Sequence, residues 1–233
     1  MPEKVFAIVP AAGQGTRMGD ALPKQYQPLG GKPMLFHSLG ALAAVDRIAR
    51  ILVVLSPVDS HWEEQDWSGL DPRVEPLYIG GATRAASVMA GLRALEGAAA
   101  DDDWVLVHDA ARPCLQPLLV EQFLDELEGD SVGGLLALPL ADTLKEADEN
   151  QRVARTVPRA GLWRAQTPQM FRYGRLKLAL PAHPQATDEA QAMEASGASP
   201  RLVSGESTNL KVTFAEDLQL AELILRNRNR IGL

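Results

Sequence analysis

Cysteine is almost absent from the chain. Cys114 stands alone in 233 residues, so no disulfide can close within it and no cysteine cluster can hold zinc. His37, His61, His108 and His183 are scattered without the spacing of metal ligands. No apolar run reaches the ~18 residues of a membrane span. The run from Met1 to Val5 leads too quickly into a glycine loop to read as a signal peptide. Positive charge is in deficit: 23 Lys and Arg face 30 Asp and Glu, for a net charge of −7. Such a chain is ill suited to wrapping nucleic acid or lying on anionic lipid. Phosphates, if it binds them, must meet a local basic pocket. A reducing, cytoplasmic setting is expected.

What is present reads as one α/β domain over residues 1–233. Apolar residues make up 46% and charged residues 23%, ordinary for a globular chain large enough to bury a core. Val5–Val9, Ile51–Leu55, Trp104–His108 and Gly134–Leu138 read as buried strands. Met34–Val45, Thr83–Leu95 and Leu118–Leu127 alternate with them as helices. The alternation predicts a mostly parallel sheet covered on both faces. From about Pro139 to Ala160 polar residues replace the periodicity. The strand-prone ends, Asp142–Lys145 and Arg155–Val157, allow a protruding hairpin or a disordered loop and favour the hairpin. Further on, Thr187-Asp188-Glu189 opens a helix with acids at its positive end, and Gly197 is a plausible stop. Arg201–Val203 and Asn209–Val212 read as strands. Thr213-Phe214-Ala215-Glu216 reads as a capping box for a last helix with Leu218, Ala221 and Leu225 on one face and a frayed end at Asn227–Arg230.

Four places carry chemistry. The first is Pro10-Ala11-Ala12-Gly13-Gln14-Gly15-Thr16-Arg17-Met18-Gly19, directly after a strand, where small residues let backbone N–H groups approach a nucleotide. Its glycine spacing is not that of a dinucleotide fingerprint, and it lacks the Gly-Lys-Ser/Thr of a P-loop. Arg17 and Lys24 flank it instead. Two cations there suit a triphosphate attacked at its α-phosphorus, although Lys24 alone reads equally well as a surface cation. The second place is His108-Asp109-Ala110-Ala111-Arg112-Pro113, at the sheet edge where ligands bind in open α/β folds. Asp109 there is a candidate to hold Mg²⁺ or a ligand hydroxyl, and Arg112 to grip a phosphate. His108 reads as structural. The third is Gly80-Gly81-Ala82-Thr83-Arg84-Ala85-Ala86-Ser87, a diglycine entering a helix, with backbone and Ser87 available to a pyrimidine edge. The fourth is Lys211, either protecting an edge strand or aimed at a substrate phosphate. The acids Asp101-Asp102-Asp103 precede their strand at the wrong sheet edge for a glycosyltransferase metal motif and read as a solvated turn.

Taken in order, P-A-A-G-x-G-x-R-M-G, P-K-Q-Y, G-G-x-x-R-x-x-S-V, V-H-D-A-A-R-P, D-T-x-K, Q-T-P-Q, T-D-E-A and N-x-K-V-T run from roughly Val5 to Leu225. This set resembles the 2-C-methyl-D-erythritol 4-phosphate cytidylyltransferase family of non-mevalonate isoprenoid synthesis. The resemblance implies a Rossmann-like nucleotidyltransferase domain. It implies a β-hairpin arm at 139–160 that interlocks a homodimer. It also implies transfer of CMP from CTP to a polyol phosphate with Mg²⁺ present. By match of motif, Pro10, Ala11, Ala12, Gly13, Gly81, Ala82, Ser87 and Asp109 would hold CTP, and Arg17 and Lys24 would stabilise the transition state. Asp109, Ala110, Arg112, Thr167, Thr187 and Lys211 would form the acceptor site, completed by Thr143 and Arg159 of the partner subunit. Arg159 and Lys211 would act in catalysis, and Asp109 would share a metal held mostly by the CTP phosphates. Ala82 departs from the aspartate common in the family, so only a backbone contact to cytosine survives there. A ribitol 5-phosphate cytidylyltransferase is the nearest rival reading. A non-catalytic nucleotide sensor is another, which would not need Arg17, Lys24 and Lys211 together.

Overall fold

The computed structural model describes residues 3–13 and 22–231. Its first half contains β1 (Val5–Pro10), β2 (Pro28–Leu29), β3 (Lys32–Pro33), α1 (Met34–Ala43), β4 (Ile48–Val54), β5 (Val74–Leu77), α2 (Arg84–Ala94) and β6 (Trp104–Val107). Then follow α3 (Pro117–Leu127), β7 (Gly133–Pro139), β8 (Leu144–Ala147), β9 (Val153–Val157), β10 (Trp163–Arg172), α4 (Tyr173–Ala182), α5 (Glu189–Ala195), β11 (Arg201–Ser204) and α6 (Ala215–Ile231).

The strand β1 is apolar from Val5 to Val9, and all five side chains are buried. A strand apolar on both faces needs cover on both. Val5, Ala7 and Val9 pack with Leu35, Leu39 and Leu42 of α1 and with Val120, Phe123 and Leu124 of α3. Phe6 and Ile8 point the other way, into a layer with Val88 and Leu92 of α2, Leu176 and Leu180 of α4, and Met193 of α5. Gly91 lets α2 cross β1 closely, since a Cβ there would lie 2.9 Å from Ile8 Cγ2.

The main sheet has the order β11-β7-β10-β6-β1-β4-β5. Adjacent strands are parallel except where β10 runs against β6 and β7. The chain moves from β1 outward to β4 and β5, then returns to place β6 on the other side of β1. That reversal makes the carboxyl ends of β1 and β6 the topological switch point, where ligands bind in such sheets. Among the described residues no helix is long and apolar enough to cross a membrane.

The polar segment contains a separate hairpin, β8 against β9, with nearly every residue exposed. Asp148 shapes its turn: Oδ1 accepts from the backbone N–H groups of Asn150 (2.9 Å) and Arg152 (2.8 Å). Several expectations need correction. Residues 209–212 form no strand; a single N–H of Val212 donates to Ala111 O at 2.8 Å. The last helix starts one residue later than a Thr213 cap requires. Asp217, not Glu216, accepts from the N–H groups of Thr213 and Phe214. Residues 227–230 remain within α6, whose Leu218, Ala221 and Leu225 pack on Leu29, Met34, Cys114 and Val212. Asp103 is not solvated. It is buried, accepting from Lys4 N and Ala100 N.

Candidate active site

A cavity of about 250 Å³ opens at the switch point. One wall is the chain leaving β1, Pro10–Gly13. Ala11 N donates to Val54 O at 2.8 Å, and the buried Gln25 amide donates to Ala11 O at 2.8 Å, so this turn is pinned on both sides. The facing wall is the diglycine and the start of α2. Gly80 N donates to Leu55 O at 2.7 Å, and a Cβ at Gly80 would fall 2.4 Å from Ala12 Cβ. Only glycine permits that approach. Thr83 caps α2, its Oγ1 accepting from Ala86 N. The buried Ser87 hydroxyl accepts from Gly81 N at 3.2 Å and donates to Thr83 O at 3.1 Å, so it braces the diglycine.

The floor is Asp109, just past β6 and buried. Its backbone N–H donates to Thr167 Oγ1 at 3.0 Å. Arg84 Nε approaches Oδ1 at 2.9 Å, and Lys211 Nζ approaches Oδ2 at 2.8 Å. Arg112 Nε lies 4.0 Å from Oδ2. Burial alone would raise the Asp109 carboxyl, but the charges of Arg84, Lys211 and Arg112 hold it well below the usual carboxylate range. It stays ionised and is a poor proton acceptor. His108 is buried between Thr167 Oγ1 (3.1 Å) and Arg112 O (3.3 Å), and burial pushes its imidazole down to about 4. It is neutral at pH 7 and does not reach the cavity as a base.

The described residues lining the cavity carry three cationic side chains, Lys24, Arg84 and Lys211, against one carboxylate, Asp109. This is the local basic pocket that an acidic chain needs for a polyphosphate. Lys24 Nζ also donates to Val212 O at 2.8 Å, tying the turn after the glycine loop to the segment that carries Lys211. A resident metal fits these residues poorly. Both oxygens of Asp109 already face cations, and among the described residues no group of three or more His, Cys, Asp or Glu is assembled to hold an ion.

Residues 5–227 match the family described as 2-C-methyl-D-erythritol 4-phosphate cytidylyltransferase. The chain belongs to that family. It is 58% identical over 226 residues to the enzyme of that name from Azoarcus sp. (strain BH72), covering 97% of this chain and 96% of the relative. It is 59% identical over 223 residues to the one from Aromatoleum aromaticum, covering 96% of each. Among solved structures it resembles a 4-diphosphocytidyl-2C-methyl-D-erythritol synthase with a TM-score of 0.86 at 38% identity, over 97% of this chain and all (100%) of the other. The 2-C-methyl-D-erythritol 4-phosphate cytidylyltransferase from Thermus thermophilus gives a TM-score of 0.77 at 35% identity, over 96% of this chain and 99% of the other.

Within this family member, Pro10, Ala11, Ala12, Gly13, Lys24, Gly81, Ala82, Ser87, Asp109, Ala110 and Lys211 come together around one cavity. Arg17 lies outside the described residues. Arg112 and Lys211 also line a second, adjoining hollow of about 660 Å³ with Arg164, Gln166 and Thr208. Arg112 turns its terminal nitrogens on the carbonyls of Asn209 (2.7 Å) and Ala165 (3.4 Å), so its fork bridges the 209 loop and β10. Thr167 is buried and its hydroxyl is shared between Asp109 N and His108. Thr187 is exposed at the start of α5, donating its hydroxyl to Gln191. Thr143 and Arg159 are exposed at the base of the hairpin, and neither lines the cavity of its own chain.

Two participants went unassigned in the sequence. Arg84 stood in a helix N-terminus with no role, although a cation three positions before a buried serine was its signal. Glu189 passed for a dipole-matching acid. It is wholly buried and forked on Arg84, while Asp188 alone caps α5 by accepting from Gln191 N.

Proposed function

We infer that this chain transfers the cytidylyl group of CTP to the phosphate of 2-C-methyl-D-erythritol 4-phosphate, releasing pyrophosphate. The observation that carries this reading is a cation-lined cavity at the switch point of a cytidylyltransferase-family fold, with no side chain poised as a general base among the described residues. A phosphate monoester is an anionic nucleophile at neutral pH, so none is required. An acceptor phosphate oxygen forms the new bond to the α-phosphorus. The bond from that phosphorus to its bridging oxygen breaks, and the electron pair leaves on pyrophosphate. Rate acceleration then rests on positioning and preorganised charge. The relatives carry the methylerythritol name, and nothing in the site favours the ribitol phosphate alternative.

In this reading the backbone of Ala11–Gly13 and of Gly81 and Ala82 accommodates the cytidine, with Ser87 fixing the diglycine. Arg17 and Lys24 stabilise the five-coordinate phosphorus. Asp109, Ala110 and Lys211 lie where the two substrates meet. Arg112 contributes charge and holds the 209–211 segment, and Thr167 orients the Asp109 backbone. Magnesium enters as the counter-ion of the triphosphate, part of the substrate rather than a resident centre. The hairpin is a dimerisation arm: across a two-fold homodimer Thr143 and Arg159 of the partner subunit complete the acceptor site, to which Thr187 belongs on its own subunit. A reducing, cytoplasmic setting suits the single buried thiol of Cys114. Phosphorus NMR of a reaction with CTP, Mg²⁺ and the acceptor tests the chemistry. A new unsymmetrical diphosphate together with free pyrophosphate is expected; CMP formed without acceptor would refute transfer.

A further inference from the structure

Arg84 is the first residue of α2 and Glu189 the first of α5; Asp109 follows β6. These three elements meet at one guanidinium. Arg84 donates Nη1 and Nη2 to the two oxygens of Glu189 at 2.7 and 3.0 Å, and Nε to Asp109 Oδ1 at 2.9 Å. A planar fork held at both ends has its orientation fixed, which a lysine head cannot achieve. Glu189 is a buried, bidentate anchor. It is wholly buried at a helix start, where burial raises its carboxyl against the opposing pull of Arg84. With Oδ1 of Asp109 taken, Oδ2 is the oxygen left to meet Lys211 Nζ at 2.8 Å. Lys211 is about half exposed and lines the cavity, so the direction of the Asp109 carboxylate sets where that ammonium sits.

We propose that Arg84, anchored by Glu189, is a positioning residue that aims Asp109 and through it Lys211 at the reacting phosphates. Although Arg84 lines the cavity, its Nε, Nη1 and Nη2 are engaged with Asp109 and Glu189, so it acts through those carboxylates rather than on the reacting atoms. The proposal rests on the reading that Asp109 serves the transfer.

A double-mutant cycle in the full-length enzyme tests it, using Arg84→Lys, Asp109→Asn and the pair together, with kcat and both KM values measured. Arg84→Lys keeps the charge and loses the fork. It is expected to lower kcat by roughly 10- to 100-fold, as misplacement of reacting groups does, with KM for CTP changed less than about threefold. The double variant should be no slower than Asp109→Asn alone, because the two residues act in series. A purely structural role predicts losses that multiply, and that result would overturn the proposal. So would a wild-type kcat in Arg84→Lys. A wild-type kcat in Asp109→Asn would instead remove the reading of Asp109 beneath it, and the proposal with it. Melting curves report folding of each variant. Should Arg84→Lys not fold, Glu189→Gln leaves Arg84 and Asp109 in place and closes the same cycle, with the same non-multiplying loss expected.

Discussion

At the scale of single residues, the site works by charge placed before the substrate arrives. Asp109 is held ionised by the cations around it, and His108 is held neutral by burial. Lys24 was ambiguous in the sequence because an isolated lysine carries no mark of burial or direction. In the fold it lines the cavity. Lys24→Ala is expected to lower kcat by about 10²–10³ while KM for CTP moves little, the pattern of a contact strengthened in the transition state. Steady-state kinetics decide this, and a near-normal kcat would remove Lys24 from catalysis. Arg17→Ala carries the same expectation. The Arg84–Glu189 pair was illegible for a different reason. Its partners lie 105 positions apart, and only the packing of α5 beside α2 brings them together.

At the scale of elements, runs apolar on both faces mark their strands as central: all of β1 and β6, and β4 from Ile51 onward, after its exposed Ala49 and ion-paired Arg50. Glycine-rich turns after β1 and before α2 were legible for the same local reason. The antiparallel β10 was not legible. Its exposed half at Trp163–Ala165 and buried half at Gln166–Phe171 follow two environments, so no single periodicity runs through it. The 209–212 segment misled because alternation of apolar and polar residues also suits a loop tucked under α6. The diglycine offers a prediction at this scale. In Gly80→Ala the new Cβ would meet Ala12 Cβ at 2.4 Å and Leu55 O at 2.6 Å. Overpacking of this kind costs about 1–3 kcal/mol. The two walls must separate, so a lower Tm and a raised KM for CTP are expected together. Unchanged values of both in thermal melts and kinetics would mean the close approach does not shape the nucleotide site.

At the scale of the whole molecule, the hairpin β8–β9 stands apart from the main sheet and carries Arg159 beyond its second strand. In the proposed homodimer this hairpin would reach the neighbour's site, and two-fold symmetry would make the exchange reciprocal. Mixing two inactive variants, Lys24→Ala and Arg159→Ala, and allowing subunits to exchange should restore activity. In a heterodimer one site collects both lesions and the other is intact, so random exchange gives about a quarter of the wild-type sites. A dead mixture with proven exchange would place the arm on its own subunit. The central claim, cytidylyl transfer to methylerythritol phosphate, meets its most direct test in pyrophosphate release. The purified protein is given Mg²⁺, each of the four nucleoside triphosphates in turn, and either 2-C-methyl-D-erythritol 4-phosphate or ribitol 5-phosphate. Release should be fast only with CTP and the methylerythritol phosphate. Equal release with ATP or GTP, or a preference for ribitol phosphate, would contradict it.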